Sequence, residues 1–122
     1  MSTDPAEWRT RDTDDLLDTV LALPDRAAAE RFFRDLCTLR ELHDLAQRWH
    51  VVRLLDEGRP YVEISRVTGA STATVTRIAQ WLHHGTGGYR EALARSAARA
   101  RSAAPARSAA RARSAAPASG RR

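Results

Sequence analysis

Apolar residues recur at the spacing of an α-helix through the first half of the chain. Pro24-Asp25 and Thr38 break this pattern, so it predicts three successive helices, of which the third is the longest and ends at Gly58. Aspartates at the start of the first helix suit the positive end of a helix dipole. The predicted inner residues are, in order, Leu16, Leu17, Val20, Leu21 and Leu23; Ala29, Phe32, Phe33, Leu36 and Cys37; and Leu39, Leu42, Leu45, Ala46, Trp49, Val52 and Leu55.

Residues 60–82 predict a helix, a tight turn and a second helix. Pro60 suits a first helical position, Gly69 suits a left-handed C-terminal residue, and Ser71 suits an N-cap. A connection this short favours the steep crossing of a helix-turn-helix over an antiparallel pair. The expected inner residues are Ile64, Val67 and Thr68 on the first helix, and Val75, Ile78, Ala79 and Leu82 on the second.

The outer face of the second helix carries short, hydrogen-bonding and cationic side chains, which suit a helix that enters the major groove. It is also rich in threonine, a poor helix former. The predicted DNA-binding residues are Ser71, Thr72, Ala73, Thr74, Thr76, Arg77 and Gln80. The sequence thus predicts a sequence-specific transcriptional regulator. A helical protein-interaction module with a basic linker tail and no specific DNA site remains the alternative.

The glycine-containing turn at residues 83–88 precedes a last helix, which begins near Tyr89 and has Ala92 and Leu93 as inner residues. Five to six short helices without a strand pattern predict an all-α domain over residues 12–94, after a disordered segment at residues 1–11. A domain of this size buries little surface alone. A homodimer would cover more apolar surface and supply two DNA-reading helices for a palindromic site.

The charge of +5 is unevenly distributed. From Arg95 onward there are eight arginines and no acid, whereas residues 1–94 carry twelve arginines and fifteen acids, a net charge of −3. The sequence of residues 94–105 recurs unchanged at residues 106–117. Without a large apolar residue, residues 95–122 are expected to be disordered. This tail is either an electrostatic arm for phosphates or a tolerated terminal extension.

Other chemistry finds little support in the sequence. A single cysteine excludes an intrachain disulfide, and the polar, acidic N-terminus is not that of a signal peptide, so a reducing cytoplasm is expected, with the protein on the nucleoid when it binds DNA. No apolar run is long enough to span a membrane. Neither an enzyme motif nor a cofactor motif is present. The residues considered and rejected as metal ligands are Cys37, His43, His50, His83 and His84.

Several motifs in order resemble the Trp repressor superfamily, most closely its YerC/YecD-like branch. The resemblance covers roughly residues 12–93 and excludes the tail. It implies an intertwined, all-helical homodimer that binds operator DNA as a repressor. The matching motifs are Arg31-Phe32-Phe33-Arg34-Asp35-Leu36-Cys37-Thr38, Leu45-Ala46-Gln47-Arg48, Glu57-Gly58, the segment from Gly69 to Arg77, Gly85, and Tyr89-Arg90-Glu91-Ala92-Leu93.

The resemblance also suggests roles for individual residues. Thr72, Ala73 and Thr76 correspond to residues that approach bases in the Trp repressor. Arg48 and Arg77 correspond to the two arginines that flank the indole of bound tryptophan there. Next to the second arginine the repressor has a glycine, whereas this chain has Ile78, whose branched side chain fills the space of the indole. Tryptophan is therefore not an expected effector, and Arg48 and Arg77 are only possible effector-binding residues.

Overall fold

The computed structural model describes the backbone of residues 7–115 and the side chains of residues 7–103. All regular secondary structure in this described part is α-helical, which confirms the predicted all-α class. The six helices are α1 (Arg11–Ala22), α2 (Arg26–Leu36), α3 (Leu39–Asp56), α4 (Tyr61–Thr68), α5 (Thr72–His84) and α6 (Gly88–Ala115).

Side-chain caps begin the first three helices. Thr10 and Asp25 are the N-caps of α1 and α2, and each side chain accepts a hydrogen bond from a main-chain N–H three residues later. The predicted capping box before α3 is present: Thr38 N–H donates to Glu41 Oε1 (2.8 Å), and Glu41 N–H donates to Thr38 Oγ1 (3.1 Å). The bond from Thr38 N–H stabilises the carboxylate, so it lowers the pKa of Glu41 below its usual value.

The chain divides into two compact units, residues 1–46 and 47–122, with the boundary inside α3. Among the described residues of the first unit, none is buried, and the predicted apolar stripes are half-buried or exposed. Phe32 and Phe33 pack edge to face with ring centroids 5.5 Å apart. Leu21 is 83% exposed, far more than a side chain that packs into a hydrophobic core. The apolar surface of the first unit is therefore largely uncovered within one subunit.

The second unit has the only buried core within the described residues. It joins the second half of α3 to α4 and α5, and Tyr89 and Leu93 attach the start of α6 to it. Val52 is buried as predicted, but so is Val51, which lies outside the predicted stripe. The buried core consists of Val51, Val52, Ile64, Ala70, Val75, Ile78, Ala79 and Leu82.

The structure differs from the sequence-based expectation in three details. Pro60 is the N-cap of α4 and not its first helical residue. Val67, expected on the inner face of α4, is 48% exposed, and Ile64 is the residue of this helix that is buried in the core. The α6 helix continues to Ala115, past Pro105 and through most of the predicted tail, as the helix propensity of alanine and arginine favours. Of the predicted disordered N-terminus, residues 1–11, the last two are the N-cap Thr10 and the first residue of α1. Residues 1–6 and 116–122 of the two predicted disordered segments lie outside the described residues.

Candidate nucleic-acid interface

The turn between α4 and α5 is built as the sequence predicts. Gly69 ends α4 with φ 80° and ψ −2°, a left-handed conformation that glycine adopts without steric cost. Ser71 is the N-cap of α5, and its Oγ accepts a hydrogen bond from Thr74 N–H (3.1 Å). Between them, Ala70 is buried at 4% exposure. One buried alanine in a turn of three residues fixes where α5 begins relative to α4.

Three side chains from α3 and α4 hold this turn by hydrogen bonds. Gln47 Nε2 donates to the carbonyl oxygen of Thr68 (2.9 Å), a bond between residues 21 positions apart. Ser65 Oγ donates to the carbonyl oxygen of Ala70 (2.6 Å), and Ala70 N–H donates to Thr68 Oγ1 (3.2 Å). These bonds satisfy main-chain groups that have no hydrogen-bond partner within the helix where α4 ends. The orientation of α5 is thus determined by polar contacts as well as by the core.

The two sides of α5 differ sharply. Val75, Ile78, Ala79 and Leu82 are all buried, which confirms the predicted inner stripe. With 100° between successive residues, the direction opposite this stripe falls among Ala73, Arg77 and Gln80, and Thr72 and Thr76 lie on one flank of the same side. We call this side the outer face of α5; it is exposed along its length and consists of Thr72, Ala73, Thr76, Arg77 and Gln80.

The other two predicted DNA-binding residues lie in the cap. Ser71 Oγ and Thr74 Oγ1 are 3.0 Å apart and hydrogen-bonded, and the Thr74 side chain is half-buried. On the outer face, Thr76 Oγ1 donates to the carbonyl oxygen of Thr72 (2.9 Å). This bond holds the Thr76 side chain in one rotamer, with its methyl group and the remaining oxygen lone pair available.

The charges near this face are few. Arg77 on α5 and Arg66 on α4 are both exposed. Arg59, just before α4, is held by Glu63 (2.7 Å) and Glu57 (3.3 Å). The hydrogen bond and charge of Glu63, followed by those of Glu57, raise the pKa of Arg59 above its usual value. The positive charge of Arg59 is therefore neutralised locally, whereas Arg66 and Arg77 form no salt bridge with the side chains that the structure describes.

Ile78 is 2% exposed and belongs to the core of the second unit. Its side chain thus packs α5 against the rest of the unit. Arg48 and Arg77, the possible effector-binding residues, are exposed and form no salt bridge with the side chains that the structure describes.

Within residues 7–103, no group of three or more histidine, cysteine, aspartate or glutamate side chains is arranged to hold a metal ion. None of the helices in the described part of the chain is both long and apolar enough to cross a membrane.

Sequence reasoning did not identify Gln47 and Ser65 as residues that position the interface. Both are polar residues within helices, and neither disturbs the apolar pattern. The available signal was the place of Gln47 in the motif Leu45-Ala46-Gln47-Arg48, where a polar residue follows two residues of the inner stripe. Arg66 was also not singled out, and its position in the last turn of α4 is the signal that could have found it.

Comparisons with known proteins agree on one family. The family model described as Trp repressor protein matches residues 11–97. The uncharacterized protein YerC of Bacillus subtilis (strain 168) is 45% identical over 87 residues, which cover 71% of this chain and 84% of that protein.

Two solved structures share the fold. A TrpR-like protein from Eubacterium eligens has a TM-score of 0.69 and 38% identity, over 73% of this chain and 92% of that one. A candidate Trp repressor from Staphylococcus aureus has a TM-score of 0.70 and 36% identity, over 77% of this chain and 94% of that one. Most of the chain, including the turn and the outer face of α5, lies within these matches, and the chain belongs to the Trp repressor family.

Proposed function

We propose that this protein is a sequence-specific DNA-binding transcriptional regulator, acting as a repressor, that reads the major groove with the outer face of α5. Membership of the Trp repressor family fits a DNA-binding regulator. The observation that carries the proposal is the composition of this face: five exposed, short or hydrogen-bonding residues on a helix whose opposite side is fully buried. These residues are not part of the buried core of the second unit, and one of them, Thr76, is held in one rotamer by its bond to Thr72.

The outer face offers the groups that base recognition requires. From Thr72 to Gln80 it extends for about 12 Å, the width of a major groove. Threonine methyl and hydroxyl groups suit the thymine methyl and base-edge acceptors, the Gln80 amide suits adenine, and Arg77 suits guanine or a phosphate. The first main-chain N–H groups of α5, those of Thr72 and Ala73, have no acceptor within the helix and suit a phosphate oxygen. Ser71 and Thr74 then act through the cap that keeps these groups in position.

We further propose a homodimer, intertwined through the first unit. The exposed leucines of α1 and the exposed Leu36 and Leu39 form an apolar surface that a single subunit leaves open to solvent. A twofold dimer would bury this surface and place two copies of α5 on one duplex. In that arrangement the operator has two half-sites about 34–36 Å apart, or a multiple of that spacing.

The proposed regulator does not use tryptophan as an effector. Ile78, whose side chain is buried in the core, stands at the position where the Trp repressor has a glycine that leaves room for the indole. We propose no cofactor and no metal. Its place of action would be the cytoplasm, on the nucleoid while bound to DNA.

Selection of bound duplexes from a random library tests the proposal, with the full-length chain as bait. We expect enrichment of one palindromic motif with half-sites at the stated spacing. Enrichment of no motif, together with equal affinity for all duplexes, would favour the protein-interaction module. The sedimentation behaviour of the same sample would then show whether the exposed apolar surface of the first unit is covered by a second copy of the chain.

A further inference from the structure

We propose that the arginine-rich segment from residue 95 to 122 is a sequence-independent arm that binds the phosphates of the same duplex that α5 reads. This inference rests on the proposed function and assigns a partner to a part of the chain that lies almost wholly outside the family match, which ends at residue 97. The first observation is the charge distribution. Residues 95–122 carry eight arginines and no acid, whereas residues 1–94 have a net charge of −3.

The second observation is the shortage of positive charge on the candidate interface. The outer face of α5 carries one arginine, and α4 adds Arg66. Non-specific affinity for DNA comes almost entirely from cations that neutralise phosphates, and it supports specific binding as well. A domain with a net charge of −3 and one arginine on its candidate DNA-reading face would have little of this affinity. The missing positive charge is present in the same chain, beyond residue 95.

The third observation is the place where the arm begins. The α5 helix ends at His84 and α6 begins at Gly88 in the same compact unit. Tyr89 and Leu93 pack against the core that also holds α5, so the root of α6 is attached to the unit that presents the outer face. Arg95, Arg99 and Arg101 follow within two to three turns, and all three are exposed. When α5 lies in a major groove, the first arginines of the arm are therefore tied to the unit that holds the duplex.

The composition of the arm points to phosphates and not to bases, an apolar groove or a bilayer interior. From residue 94 to 122 the chain holds only alanine, arginine, serine, proline and glycine. No aromatic or large aliphatic side chain is present to stack on a base, to fill a protein groove or to enter acyl chains. Guanidinium groups remain as the only groups capable of a strong contact, and phosphate is the ligand they suit best. Duplex DNA is the polyanion that the neighbouring α5 would already hold.

The test neutralises the arm in the full-length chain. In the first variant, glutamine replaces the seven arginines beyond Arg95, which is left intact because it pairs with Glu91 (3.2 Å). Glutamine and arginine have similar helix propensities, so any helix in the arm is kept. In the matched control, lysine replaces the same seven residues and keeps their charge. The substituted positions are Arg99, Arg101, Arg107, Arg111, Arg113, Arg121 and Arg122.

Fluorescence anisotropy then gives the dissociation constants of the three proteins for the selected duplex and for a scrambled duplex, across a salt series. We expect the glutamine variant to flatten the plot of log affinity against log salt by about 0.9 for each phosphate that the arm neutralises. Three such contacts would amount to an affinity effect of about 40-fold over a fourfold change in salt. The lysine variant should keep the slope of the unmodified chain. The ratio of affinities between the two duplexes should be the same in all three proteins.

Equal slopes of log affinity against log salt for the glutamine variant and the unmodified chain would contradict the proposed role of the arm. A second outcome would also contradict it: the unmodified chain and the lysine variant bind phosphatidylserine vesicles, the glutamine variant does not, and the DNA slopes of all three are the same. The partner of the arm would then be a membrane surface. Loss of the affinity ratio in the lysine variant would show that the arm reads bases. Failure of the proposed function is visible separately: the unmodified chain would then bind both duplexes equally, whatever its slope.

Discussion

Gly69 is the residue on which the turn between α4 and α5 depends. Its φ of 80° is costly for any side chain with a Cβ, although a Cβ there would meet only Gln47 Nε2, at an ordinary 3.7 Å. We therefore expect Gly69→Ala to lower the free energy of unfolding by about 1–2 kcal/mol through backbone strain alone. Urea unfolding at 25 °C measures this.

Gly58 provides the matched control for this prediction. It has a φ of 78° and open space where a Cβ would lie, but it follows α3 and is away from the turn. Gly58→Ala should cost a similar amount of stability and leave the affinity for the selected duplex unchanged. A Gly69→Ala variant as stable as the unmodified chain would show that the turn does not require the left-handed conformation.

Ile78 determines the prediction about tryptophan. If the buried side chain of Ile78 takes the place of the indole, tryptophan should change neither the melting temperature nor the affinity for DNA. A ligand present at a hundred times its dissociation constant would add about 2.7 kcal/mol of stability. Differential scanning fluorimetry with millimolar tryptophan would detect such a gain. A clear rise in melting temperature would contradict the role assigned to Ile78.

At the scale of elements, the sequence pattern predicted the features that depend on residues close together in the chain. The stripe of α5 and the caps at Thr38, Gly69 and Ser71 were all found as predicted, since each depends on residues close in sequence. Burial of Val51 was missed, because α3 is apolar on more than one side and one stripe does not describe it. Local composition also does not specify how far α6 extends, because its alanines and arginines favour a helix whereas its proline disfavours one.

The hydrogen bond from Gln47 to Thr68 could not be predicted, because it joins two helices across 21 residues. It leads to a prediction about the pairing of α3 with α4. Gln47→Met keeps the length of the side chain but removes the donor, and we expect a loss of about 0.5–1.5 kcal/mol in the free energy of unfolding. Gln80→Met, on the exposed outer face, is the control and should change stability little. Equal stabilities of the two variants in urea unfolding would remove the structural role of Gln47.

For the whole molecule, the proposed dimer is the feature that would cover the apolar surface of the first unit. Leu21 is 83% exposed in one subunit, so Leu21→Asp should disturb the subunit itself little. If Leu21 is buried between subunits, the dissociation constant of the dimer should rise by at least about tenfold, since burial of a leucine is worth about 1.5–3 kcal/mol. Sedimentation equilibrium at micromolar concentration measures it.

The control for the dimer is Val62→Asp, at a position 76% exposed on α4, outside the first three helices. It should leave the dissociation constant unchanged. Equal dissociation constants for both variants would show that Leu21 lies outside the interface, and a monomer for the unmodified chain would contradict the dimer. The proposed pair of half-sites would then have no second copy of α5 to read it.

The central claim is that the outer face of α5 reads DNA, and base discrimination by Thr72→Ala tests it most directly. Alanine keeps the helix but removes the hydroxyl and methyl groups, so discrimination at one base pair in each half-site should fall by about 1–3 kcal/mol. No charge is lost, so the salt dependence should stay the same. Thr19→Ala, whose hydroxyl bonds only to Asp15 on α1, is the control. The measurement is the affinity of each protein for the selected duplex and for its single-base variants. Loss of discrimination at one position in Thr72→Ala alone supports the claim, and identical base preferences in all three proteins would contradict it.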